Sequence, residues 1–76
     1  MMTPYKDISG DSGIVAYEIE GDSITIEFRK GGTYRYDANK PGAGHVSVMK
    51  GLAQSGDGLN TYINKNVRKN FAAKLN

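Results

Sequence analysis

The sequence predicts an α+β domain: a three-stranded antiparallel β-meander packed on one face by a short helix and a longer C-terminal amphipathic helix. The observations behind this are two adjacent runs of alternating or β-rich residues, IVAYEIE at 14–20 and SITIEFR at 23–29, a third short run around Tyr34-Arg35-Tyr36, and an apolar repeat every four residues from Leu59 to Leu75. Period two reads as strand and a period near 3.6 as helix.

Residues 1–11, MMTPYKDISGD, show no periodicity and read as a flexible leader, with a single domain over 12–76. Gly21-Asp22 then joins the first two runs as a two-residue loop, Gly-X being a II′ signature. That turn sets Glu20 opposite Ser23, Ile19 opposite Ile24, Tyr17 opposite Ile26 and Val15 opposite Phe28. The last three pairs are apolar, and a one-residue slip would turn the whole set to the other face. Lys30-Gly31-Gly32 suits a three-residue loop with a left-handed glycine. It leaves Arg29 opposite Thr33, Phe28 opposite Tyr34 and Ile26 opposite Tyr36. A two-residue loop would instead drive Arg35 onto the apolar face.

One face of this meander is apolar and cannot stay bare in water, since its burial contributes on the order of 25 cal/mol per Å². The linker DANKPGAG is rich in turn formers, and Val46, Met49, Leu52 and Ala53 follow at helical spacing. They predict a short helix, weakened by Gly51. Ser55-Gly56-Asp57-Gly58 breaks the chain again, with Asp57 or Gly58 as the cap. Leu59, Ile63, Val67, Phe71 and Leu75 then form the stripe of the second, longer helix.

Seventy-six residues make one small domain, which buries only about 60% of the surface its unfolded chain exposes. With no cysteine there is no disulfide and no thiolate metal cage. The expected setting is reducing and cytoplasmic, because the leader has neither a basic n-region nor an apolar h-region, and no run approaches the roughly 18 apolar residues of a membrane span. The net charge is +2, unevenly placed. Residues 1–57 carry six basic side chains against all eight acids, a balance of −2, whereas 58–76 carry Lys65, Arg68, Lys69 and Lys74 with no acid, a balance of +4. Such asymmetry points toward an acidic partner such as nucleic acid.

The order of motifs resembles the KTSC domain, a small module found at the C-terminus of some lysyl-tRNA synthetases and as a free-standing protein in bacteria and phages. Ser12 and Ile14 open the first strand and Tyr17 lies within it; Ile24-x-Ile26-x-Phe28, the glycine pair and Tyr34-x-Tyr36 follow. A helix ending near Leu52-Ala53 comes next, then Gly58-Leu59-Asn60 with Ile63. The resemblance covers most of 12–71. Phe71 stands where similar sequences carry a tyrosine, and the linker after Tyr36 lacks a Val-Pro. The resemblance implies a binding module, with RNA binding as the suggested role, more than an enzyme.

Chemistry-bearing constellations are sparse. His45 is the sole histidine and reads as a surface or capping residue, and with no cysteine beside it a zinc site is not expected. Glu18, Glu20, Glu27 and Asp37 fall on the outer sheet face as solvated strand residues. No GxxxxGK[ST] loop is present, and Gly56-x-Gly58 is too short for a dinucleotide fingerprint. The Gly56–Asn60 turn exposes backbone N–H groups that can hold a phosphate, but Asp57 would repel one, so plain capping is the reading. Tyr34-Arg35-Tyr36 resembles a base-stacking platform; the register, however, turns both rings inward and sets Arg35 outward opposite Glu27.

The basic side of the last helix is therefore the candidate site. Lys65 and Lys69 point away from the stripe, Arg68 lies beside it, and Asn64, Asn66 and Asn70 add amides. The expectation is a non-catalytic binding domain, without cofactor or metal, that contacts RNA or DNA backbone through Lys65, Arg68 and Lys69 with help from Arg35. The alternative is a protein-interaction module of bacterial or phage origin. A monomer or weak homodimer is expected, the latter because a bare sheet edge can pair with a second copy.

Overall fold

The computed structural model of the chain describes residues 2–8, 10 and 13–75. Its elements are β1 (Thr3–Pro4), β2 (Ile14–Glu20), β3 (Ser23–Phe28), β4 (Gly32–Tyr36), α1 (Ala43–Ser55), α2 (Leu59–Tyr62) continued by a π turn over Ile63–Val67, and β5 (Ala73–Lys74). The class is α+β, with a five-stranded antiparallel sheet in the order β1-β2-β3-β4-β5.

The β2–β3 hairpin has the expected register from Glu20↔Ser23 through Tyr17↔Ile26. Gly21 takes φ 55°, as a turn of this length requires, and the Ser23 hydroxyl donates to the Glu20 carbonyl at 2.8 Å. Beyond Ala16 a bulge intervenes, so Phe28 pairs with Ile14 and not with Val15. Ile14 is 1% exposed while Val15 is 39% exposed. The extra residue moves Val15 out of the apolar set and brings Ile14 in.

The β3–β4 hairpin departs from expectation by two residues. Phe28 faces Gly32, Ile26 faces Tyr34 and Ile24 faces Tyr36, so the loop is Arg29-Lys30-Gly31. Gly32, with φ 90°, is the glycine at positive φ in this hairpin. An even shift preserves the face, so Tyr34 and Tyr36 still point with Ile24 and Ile26. It changes the partner of Arg35, which stands opposite Thr25 while Glu27 stands opposite Thr33.

Both flanks of the meander are extended by the same chain. Thr3 and Pro4 pair with Tyr17 and Ala16, and Tyr5, from the segment expected to be a loose leader, is buried. At the other flank the helix expected to run through Phe71 and Leu75 stops after Val67. Ala73 and Lys74 pair with β4, and the N–H groups of Ala72 and Leu75 donate to the carbonyls of Arg35 and Thr33, each at 2.7 Å. The physical reason is competition for backbone groups. The β4 edge offers unpaired donors and acceptors, and asparagine side chains compete with helical hydrogen bonds; Asn66 Nδ2 donates to the Tyr62 carbonyl at 3.1 Å.

The core joins these parts. Val46, Met49 and Ala53 of α1, and Leu59, Ile63 and Val67 of α2 and its π turn, cluster with Ile14, Ile24, Ile26 and Tyr36. A strict four-residue spacing overshoots an α turn and undershoots the wider π turn. One of each keeps Leu59, Ile63 and Val67 on a single buried line. Gly56, with φ 81°, ends α1 by donating to the Leu52 carbonyl at 3.0 Å. Its own carbonyl accepts from Ile8 N–H at 2.8 Å, which fastens the N-terminal segment to the helix end. No helix among the described residues is long and apolar enough to cross a membrane.

Candidate nucleic-acid interface

The return of the chain from the π turn to the β4 edge opens a groove. Its sheet side is the β3–β4 hairpin, with Phe28, Lys30, Tyr34 and Tyr36; its helix side is Ile63, Asn64, Arg68 and Lys69; Phe71 closes it. Its volume is about 700 Å³. Lys30, Arg68 and Lys69 are exposed, and among the described residues that line the groove none is acidic.

The aromatic side is held by ring contacts. Tyr34 meets Phe28 edge-on, with centroids 5.7 Å apart at 73°, and meets Phe71 at 4.6 Å and 60°. Lys74 Nζ lies 5.7 Å from the Tyr34 centroid, within cation–π range. Phe28, Tyr34 and Phe71 are half-buried, so each keeps some ring surface open. Tyr36 lies deeper, at 1% exposure. Burial pushes its phenol up to about 12, with a smaller contribution from the nearby Tyr34 hydroxyl.

Of the expected site residues, the structure brings Arg68 and Lys69 together at the groove. Lys65 is exposed within the π turn and is not part of the lining. Arg35 lies on the opposite sheet face, where its Nε is 4.0 Å from Asp37 Oδ2, so the expected cross-strand partner Glu27 is replaced by a neighbour on its own strand side. Asp37 is also occupied by its turn, its Oδ1 accepting from the N–H groups of Asn39 and Lys40, each at 3.0 Å. Lys30, expected only as a turn residue, also lines the groove. A cation in the loop that follows an aromatic strand end was the available signal.

Two further features have structural occupations. The N-terminus of α2 is met by Tyr5, whose hydroxyl accepts from Leu59 N–H at 3.3 Å; Gly58 is the N-cap and supplies no side chain. Burial raises the Tyr5 phenol, the Leu59 hydrogen bond opposes that shift, and Asp57 and Asp7 add to it. The expected capping by the Gly56–Asn60 turn thus holds in backbone terms, with the polar partner coming from far along the chain. His45 Nδ1 and the Tyr62 hydroxyl are 2.7 Å apart, which pins the start of α1 to the end of α2. Among the described residues no group of three or more His, Cys, Asp or Glu side chains gathers as a metal site.

No family model, curated protein or solved structure matches the chain. The resemblance to KTSC domains accordingly rests on the motif residues themselves.

Proposed function

We propose that this protein is a small non-catalytic domain that binds the backbone of RNA or DNA. Arg68 and Lys69 are the principal contacts, Lys30 joins them from the hairpin, and Lys65 contributes from the adjoining turn. The observation that carries the reading is the convergence of Lys30, Arg68 and Lys69 on one groove with no acid among its described lining residues. Like charges gathered without counter-charges raise the local concentration of a polyanion. The +4 balance of residues 58–76 and the KTSC-like order of motifs lean the same way. Arg35, engaged with Asp37 on the far face, drops out of the contact set.

The test is a fluorescence titration of the whole chain with tRNA-sized RNA and with single-stranded DNA at low salt. Saturable binding is expected, and Lys65→Glu, Arg68→Glu and Lys69→Glu made together should abolish it. Absence of binding, or binding untouched by the triple substitution, removes the reading.

A further inference from the structure

We infer that the groove takes one unstacked base of a single strand, inserted against Phe28, Tyr34 and Phe71, while Lys30, Arg68 and Lys69 hold the phosphates on either side. The inference rests on the nucleic-acid reading above and adds which part of the ligand enters, and where.

Cations alone would recognise any polyanion; the groove has a second component. Its volume, about 700 Å³, lies in the range of small-molecule sites, roughly 300–1,000 Å³, well beyond what a bare phosphate needs. Its walls are aromatic, and a planar base is the part of a nucleic acid that rewards aromatic walls. The rings brace one another, Tyr34 lying between Phe28 and Phe71. A base would therefore meet a surface that is already formed.

Asn64 stands on the helix side of the groove with the cations. Its amide offers both a donor and acceptors to a base edge. A base within a duplex has both faces covered by its neighbours, which selects an unpaired strand. An acidic peptide would satisfy Lys30, Arg68 and Lys69 but leave the rings unused, and an apolar peptide would do the reverse. A nucleotide unit satisfies both.

The experiment compares, by fluorescence anisotropy of the intact protein at low salt, a labelled oligothymidylate with an abasic strand of the same length, which keeps every phosphate. The base-bearing strand is expected to bind about five- to 150-fold more tightly. In Phe71→Leu, which keeps apolar bulk against Tyr34 but offers no π face, the gap between the two strands should narrow, Phe28 and Tyr34 remaining, while the abasic strand binds as before. Circular dichroism of that variant verifies that the fold is kept.

Equal affinities for the two strands in the unsubstituted protein overturn base insertion and leave backbone binding standing. Displacement of the oligothymidylate by polyglutamate at matching charge concentration also overturns it, since the groove would then be reading charge alone. If neither strand binds, base insertion and the nucleic-acid reading fall together.

Discussion

Two glycines five residues apart should respond to alanine with opposite signs. Gly56 has φ 81°, and a Cβ built there would lie 2.5 Å from the Cβ of Lys6. The left-handed conformation costs a non-glycine residue about 1–2 kcal/mol. The clash is with the root of the Lys6 side chain, so the backbone must move, which endangers the Ile8 N–H to Gly56 carbonyl bond of 2.8 Å; such a bond contributes about 0.5–1.5 kcal/mol net. Gly56→Ala should therefore destabilise by about 2–3 kcal/mol, a large share of the roughly 4–11 kcal/mol expected for a domain of this size. Gly51 lies inside α1 with nothing within 4 Å of its would-be Cβ. Gly51→Ala should stabilise by up to about 1 kcal/mol from helix propensity. Urea unfolding followed by circular dichroism gives both values. Lys6→Gly removes the clashing atom, so Gly56→Ala in that background should cost only the conformational part. A neutral Gly56→Ala would refute the left-handed geometry assigned to the α1 terminus, and a destabilising Gly51→Ala would refute the open helical setting assigned to Gly51.

Further outcomes concern the buried tyrosines. Tyr5→Phe deletes the hydroxyl that accepts from Leu59 N–H at 3.3 Å, and leaving that buried donor unpaired should cost about 1–3 kcal/mol in the same unfolding assay; no loss would mean the contact contributes nothing. For Tyr36, the folded phenol titrates at about 12 against about 10 in the unfolded chain. The folded state therefore holds a proton that the unfolded chain releases, and its stabilisation is whole below about pH 10 and is lost as pH rises toward about 12. Two pH units correspond to about 3 kcal/mol. Urea midpoints measured on both sides of that window should fall less steeply in Tyr36→Phe than in the unsubstituted protein, and parallel slopes would contradict the assigned burial.

What the sequence made legible follows from where its pattern was unambiguous. Alternation fixed the phase of Ile24, Ile26 and Phe28, and the Gly21-Asp22 turn set the neighbouring register. At Ile14-Val15-Ala16 all the residues are apolar, so no polar residue marks the phase, and the bulge left no trace in the pattern. Lys30-Gly31-Gly32 offers two glycines for one left-handed position. A two-residue shift kept every face and changed only the partners, which is why the inward tyrosines were legible and the partner of Arg35 was not.

The last segment misled for a different reason. Leu59, Ile63 and Val67 do lie on a helical stripe, but Phe71 and Leu75 continue the same spacing by coincidence of composition. Edge pairing with β4 decides their conformation, and a non-local contact of that kind has no local signature. Tyr5 is similar: its burial depends on α1 and α2, far along the chain. Within the candidate site, the cations Arg68 and Lys69 were readable from charge asymmetry. Lys30 was not, because its place at the groove depends on that same return of the chain.

The proposed binding depends on charge gathered at the groove, and the salt dependence of single-strand binding measures that charge directly. Four cations on phosphates, Lys30, Lys65, Arg68 and Lys69, predict that log K falls against log salt with a slope of about −2.8, from roughly −0.7 per contact. Arg68→Gln with Lys69→Gln should reduce the slope to about −1.4, the share of Lys30 and Lys65. A slope near zero, or one that this double substitution leaves unchanged, would contradict the assignment of the groove as the binding surface.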